Sequence, residues 1–394
     1  MQPNANSPRV TGSLLTDPKF RAWIFQILAV VAVVALGWYL FNNTQHNLQS
    51  RGISSGFGFL EQSAGFGILQ SLVDYTETDS YGRVFVIGLL NTLLVSVLGI
   101  IFATLLGFLL GVARLSHNWL VSKLATLYIE IFRNIPPLLQ IFFWYFAVLR
   151  NVPGPRQSLD VGETVFLNIR GLYLPSPSPT EGFWAALAAF VVAVAISIFI
   201  GIKAKQRREA TGERFPVLIT TLALVVGLPT LVGLVFGNPF VWDVPELKGF
   251  NFQGGFVVIP ELVALTLALS IYTAAFIAEI VRAGIMSVSH GQTEAADSLG
   301  LRRGITLRLV IIPQALRVII PPLTSQYLNL AKNSSLAAAI GYPDLVSLFA
   351  GTVLNQTGQA IETISITMSV YLAISLAISL LMNWYNKRMA LVER

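Results

Sequence analysis

Apolar runs long enough to cross a bilayer recur along the 394 residues, and short polar links cut them apart. A span needs about 20 consecutive apolar residues. Such runs fall at Ala22–Phe41, Val84–Ala113, Phe183–Ile202, Phe215–Phe236, Gly255–Met286, Gln314–Ile340 and Ile361–Trp384, and a further apolar stretch, YIEIFRNIPPLLQIFFWYF, follows the second of them. With 54% hydrophobic and 12% charged residues and a mean hydropathy of +0.67, the chain carries more apolar surface than a soluble core absorbs. The expected fold is an all-α integral membrane protein with about eight transmembrane helices.

Charge sets the expected topology. The net charge of +6 does not point to nucleic acid, because the basic residues sit in short links between apolar runs rather than on one polar face. Links at 114–123, 203–214, 302–317 and 387–394 hold most of them, and eight crossings put all four on the side of both termini. The positive-inside rule makes that side cytoplasmic. Ala22–Phe41 is long for a signal-peptide core and no small-x-small site follows it, so it reads as an uncleaved first helix. There is no cysteine, which excludes disulfides, thiol catalysis and Cys-ligated metals. His46, His117 and His290 are too scattered for a zinc site, and no metal is expected.

Polar residues inside the spans carry the next expectations. Asn91, Val95, Gly99, Ala103, Gly107 and Gly111 recur every four residues, a stripe of mostly small side chains that lets another backbone approach; Asn91 and Thr92 are the better pocket candidates. Pro136 and Pro137 break the third span and free backbone groups that must face protein or water. Glu130 and Arg133, like Glu279 and Arg282, lie three residues apart and are expected to pair. For the first pair structural and gating roles are both open; the second reads as an interfacial pair with Arg282 snorkelling. In the seventh span, expected to break at Pro321-Pro322, Ser325, Gln326, Asn329, Lys332 and Asn333 fall within a face about 120° wide. With Ser334 they are expected to line a cavity or a subunit contact, since such a stripe cannot face lipid cheaply. Residues 150–182 and 237–255 read as loops, and the paired GFGFL and GFGIL stretches as interfacial aromatics.

One polar elbow separates the sixth and seventh spans, Gly291–Pro313, reading GQTEAADSLGLRRGITLRLVIIP. It reads as a short helix with Glu294 and Asp297 in its early turns, where the dipole favours acids. Ala295 and Ala296 keep it thin, and Gly300 supplies a left-handed cap. Arg302, Arg303 and Arg308 follow. A Glu-Ala-Ala with glycine six residues after the Glu, and proline thirteen beyond that glycine, resembles the EAA coupling loop of the membrane subunits of bacterial ABC importers. EIFRNIPPLLQ, AEIVRAGI at 278–285 and IPQALRVIIPPL at 312–323 are similar to permeases of the polar amino-acid uptake family, the histidine/glutamine/glutamate type. RGISSGFGFL at 51–60 and KNSSLAAAIGYPD at 332–344 resemble the larger permease of the general L-amino-acid importers, although Asn333 stands where many relatives have Asp.

This resemblance implies a five-helix permease core over 84–149 and 256–385, with the coupling loop at 287–313. It implies an extension over 1–83 with one helix and a periplasmic segment, a two-helix insertion at 150–255, and a cytoplasmic tail at 386–394. It places the protein in the bacterial inner membrane with Glu294, Ala295, Ala296, Asp297, Gly300, Arg302 and Arg303 coupling to an ATPase. Asn91, Thr92, Ser325, Gln326, Asn329, Lys332, Asn333 and Ser334 become candidates for the substrate path. The implied partners are a second permease subunit, two ATPase subunits, a periplasmic substrate-binding protein, an amino-acid substrate and the lipid bilayer. ATP and Mg would be bound by the ATPase, with no cofactor in this chain. The residues agree: no G-x-x-x-x-G-K-[ST] loop occurs anywhere, so hydrolysis needs another chain. An ion-driven transporter would need a mid-membrane carboxylate and matching halves, an enzyme a nucleophile with its base or a metal cluster, and a channel gives no reason for the elbow.

Overall fold

The computed structural model describes residues 18–50, 52, 55–213 and 215–389. The polar start of the chain and residues 390–394 of the expected tail lie outside them. Helix α1 (Pro18–Ser50) is followed by α2 (Tyr81–Arg114), α3 (Trp119–Asn134) and the short α4 (Pro137–Phe142). After strands β1 (Leu159–Val161), β2 (Val165–Asn168), β3 (Gly171–Leu174) and β4 (Ser176–Pro179) come α5 (Glu181–Thr211) and α6 (Val217–Phe236). Strands β5 (Phe240–Asp243), β6 (Glu246–Lys248), β7 (Asn251–Gln253) and β8 (Phe256–Val258) lead into α7 (Pro260–Met286). The chain ends with α8 (His290–Ser298), α9 (Arg303–Thr306), α10 (Ile312–Asn333), α11 (Leu354–Thr357) and α12 (Ala360–Met389).

Among the described residues seven helices are long and apolar enough to span a membrane. The remaining expected crossing is made in pieces. Proline at 136 and 137 ends α3 at Asn134, and α4 resumes before a π turn at Phe143–Val148. Along α7 these pieces still run the length of a span, since Tyr128 donates to the Ile271 carbonyl and Tyr145 to Glu261 Oε1, at 2.9 and 2.7 Å. Gln140 answers for the carbonyls freed at the break: its Nε2 donates to Phe132 and Ile135.

Helix α7 is the buried centre, with Leu265, Ala268, Leu269, Ala274, Ala275, Ile277 and Ala278 fully covered. The small-residue stripe of α2 lies along it in parallel. A Cβ on Gly107 would sit 2.6 Å from Ile277 Cβ, and one on Gly111 2.7 Å from the Ala278 carbonyl oxygen. Only a missing side chain permits that approach. Helix α10 runs antiparallel on another side, its Ala315 and Ile319 against Gly284 and its Leu330 against Gly99. A second cluster at the start of α2 gathers Phe59, Tyr81, Leu345 and Phe349, so the first Gly-Phe stretch packs its Phe59 inside the protein rather than at the lipid interface.

Further sequence expectations change here. The stretches read as loops at 150–182 and 237–255 hold seven short strands, and an eighth, β8, takes up the first residues expected for the sixth span; the order is β1-β2-β3-β8 in one sheet, with β4-β5 and β6-β7 as separate pairs. Because β3 and β8 are antiparallel neighbours, Leu174 facing Phe256, the excursion carrying α5 and α6 leaves and returns at one place. Helix α10 is also unbroken at Pro321-Pro322, both of which lie inside it. The seventh span departs from α geometry elsewhere: a π turn at Leu307–Ile311 precedes Pro313, and a 3-10 stretch, Ser334–Ile340, follows Asn333. The wider turn before Pro313 accommodates a residue that has no N–H to give.

Candidate functional site

Helix α8 stands between two spans with most of its surface free. Its C-terminus is a Schellman motif: Gly300 N–H donates to the Asp297 carbonyl at 2.9 Å and Leu301 N–H to the Ala296 carbonyl at 3.1 Å. Gly300 has φ +72°, the left-handed conformation that glycine takes without a Cβ penalty. Ala296 is the buried residue of α8, while Glu294, Ala295 and Asp297 are exposed. Leu299, 79% exposed beside the cap, offers an apolar tip that stands open among the described residues. The acids do not sit where the dipole argument put them. The helix begins at His290, so Glu294 is in its middle, bonded to His290 Nδ1 at 2.9 Å, and Asp297 is in the last turn. Arg302 and Arg303 are exposed at the start of the following helix.

On α10 the polar stripe divides. Ser325, Asn329 and Lys332 are exposed and share a face with exposed Pro321 and Pro322, opposite the buried Ile319, Leu323, Leu330 and Ala331. Gln326 and Asn333 flank that face, half-buried. Ser334 turns inward instead, donating to the Ala331 carbonyl at 2.8 Å. Asn91 and Thr92 are wholly buried, and the structure gives both to the backbone. Asn91 Nδ2 donates to the carbonyls of Gln70 and Pro343 at 3.0 and 2.9 Å. Thr92 Oγ1 accepts from Leu345 N–H at 3.0 Å. Together they clamp residues 341–345, the segment between the last two spans in which the KNSSLAAAIGYPD stretch ends. Its Asp344 is buried and bonded to Ser347 N–H at 2.8 Å and to the Tyr371 hydroxyl at 3.3 Å. The Gly-Tyr-Pro-Asp turn at 341–344 is the sequence signal for it.

The two expected charge pairs part company. Glu279 and Arg282 meet at 2.6 Å, and Arg114 from the end of α2 joins the same carboxylate. Among the described residues no ion pair links Glu130 to Arg133; Arg133 instead lies over the Phe276 ring, 5.3 Å from its centroid. The i, i+3 spacing allowed closure, but a neighbouring helix supplied the ring.

Fold and site together define a class: a polytopic helical membrane protein with polar residues along one span and a free helical elbow between two others, the outline of a membrane transport component. Residues 194–391 match the family described as "Binding-protein-dependent transport system inner membrane component". The chain is 65% identical over 386 residues to the "Putative amino-acid ABC transporter permease protein YhdX" of Escherichia coli (strain K12), covering 98% of each. To the "General L-amino acid transport system permease protein AapQ" of Rhizobium johnstonii it is 54% identical over 382 residues, 97% of this chain and 95% of that one. A crystal structure of an amino acid ABC transporter with histidines aligns with 78% of this chain and 95% of its own at 22% identity and a TM-score of 0.46. The protein belongs to the binding-protein-dependent transport system inner membrane component family.

Proposed function

We propose that this chain is the permease subunit of an ATP-driven amino-acid importer, forming the path across the membrane and taking its motion from a separate ATPase through residues 291–313. The observation that carries the reading is α8: a largely exposed helix capped at Gly300 and followed by α9 and the π turn that lead into a long span, with Leu299 presented beside the cap. Pushing such a lever moves α10, and with it the exposed face of Ser325, Asn329 and Lys332. That face belongs against a second permease subunit, where the stripe borders the path and escapes lipid. Gln326 and Asn333 complete it, while Asn91, Thr92 and Ser334 hold its wall in place. Two ATPase subunits bind the ATP and Mg, and a periplasmic binding protein delivers the amino acid. The names of the relatives supply the substrate class.

In this arrangement the core is 84–149 with 256–385, the extension is 1–83 and the insertion is 150–255. The protein lies in the bacterial inner membrane with both termini, α8 and the 203–214 link in the cytoplasm. Gly300→Val tests the coupling, because a β-branched residue at φ +72° costs about 1–3 kcal/mol and unwinds the cap. The expected outcome is a subunit that inserts and assembles but whose complex loses substrate-stimulated ATP hydrolysis and uptake; normal stimulation would refute the lever.

A further inference from the structure

We infer that Glu130 and Arg133 hold the zwitterionic head of the transported amino acid, Arg133 taking its carboxylate and Glu130 its ammonium group; this rests on the transport reading above. The charges near the inner third of α7 do not balance. Glu279 is already engaged by Arg282 and Arg114, and Arg133 stands close enough to act on it electrostatically as a third cation. The guanidinium of Arg133 rests on the Phe276 ring, a contact that leaves its N–H donors unspent. Among the described residues it has no hydrogen bond or ion pair. Glu130 is in the same state: its backbone carbonyl accepts from Asn134 Nδ2 at 2.7 Å, and its carboxylate has no partner among the described residues. Both side chains are exposed on this chain's surface.

Depth decides what can reach them. Phe276 lies ten residues before Met286 and sixteen after Pro260 in α7, about 15 and 24 Å from the two ends at 1.5 Å per residue. In a hydrocarbon core about 30 Å thick, that is beyond the headgroups of either leaflet, so a lipid phosphate is not the missing anion. A charge facing acyl chains there costs about 2.5 kcal/mol or more, so the pair faces a polar path. A cation and an anion three residues apart on one helix face ordinarily close on each other; here Arg133 lies over the Phe276 ring of α7 instead. The pair that stays open matches a molecule with a carboxylate and an ammonium group on one carbon. The guanidinium fork suits the carboxylate in particular. Both recognised groups are common to all L-α-amino acids, so such a site reads the class and leaves the side chain free.

The test is equilibrium binding of the twenty radiolabelled L-amino acids to the purified complex of this chain with the subunits that copurify with it. The tightest binder is then competed with its decarboxylated amine and its N-acetyl derivative. Neither analogue is expected to compete. Arg133→Gln is expected to weaken binding roughly tenfold or more, the loss of a charge-assisted pair. Arg133→Lys should weaken it less, and Glu130→Gln should also weaken it; these two carry the test if Arg133→Gln fails to assemble. Arg150→Gln, which removes a cation stacked on Tyr145, should leave binding unchanged. Binding within about twofold of wild type in the Arg133 and Glu130 variants, or an amine that competes as well as its amino acid, overturns the assignment alone. A wild-type complex that binds none of the twenty overturns the transport reading and this inference with it.

Discussion

Asn91 carries a polar amide to the depth of a membrane, and its sequence neighbours suggest a pocket. The structure spends the amide on two carbonyls, those of Gln70 and Pro343, and the side chain is fully buried. Its work is to fasten two irregular segments to α2, where an unmet carbonyl costs far more than in water. Asn91→Leu removes both donors, and the expected loss is about 1–3 kcal/mol for each buried acceptor left unsatisfied. A thermal melt of the purified complex checks it, with a clearly lowered midpoint expected and an unchanged one arguing against the clamp. Residue type told where a polar group had to be satisfied. Which partner satisfied it lay 252 residues away, beyond any local pattern. Arg133 teaches the same lesson from the opposite direction: spacing offered Glu130, and the fold offered a ring on α7.

At the scale of elements, the glycines of α2 were legible as a packing stripe because a four-residue interval repeats one face of a helix. Gly107→Leu is expected to force α2 from α7, since a Cβ there already lies 2.6 Å from Ile277; overpacking of this kind costs about 1–3 kcal/mol and often more in a rigid core. Gly201→Leu in α5, where nothing lies within 4 Å of the added Cβ, is the control. Yield of folded protein in detergent, read by size exclusion and melting, should fall for the first and hold for the second. Prolines were less legible. Pro136-Pro137 ends a helix and Pro321-Pro322 does not. A proline dipeptide breaks an isolated helix, but packing of both flanking turns against one neighbour can hold the axis together. The strands at 159–179 and 240–258 were hidden because three- and four-residue runs carry no periodicity to read.

For the whole molecule, topology follows from counting. Starting from Tyr81 on the strand side, α2, the broken α3–α4 pair, α5, α6, α7, α10 and α12 alternate in direction, and the basic links between them fall at one end. A cysteine placed at Gln206, in this cysteine-free chain, is expected to resist an impermeant thiol reagent in intact cells and to react once the membrane is opened. Labelling from outside would reverse the orientation. The sequence alone determined the membrane class, the spans, the elbow with its glycine cap and the Glu279–Arg282 pair. Each of these depends on hydrophobicity, charge or short-range helix geometry, and those are written within a few neighbouring residues. Only the tertiary structure decided that Asn91 and Thr92 are clamps, that the polar face of α10 turns away from its own chain, that the insertion leaves and returns on adjacent strands, and that Glu130 and Arg133 stay apart. Those depend on which surfaces meet across hundreds of residues, and in a bilayer, where the solvent no longer separates inside from outside by polarity, packing and buried hydrogen bonds make that choice.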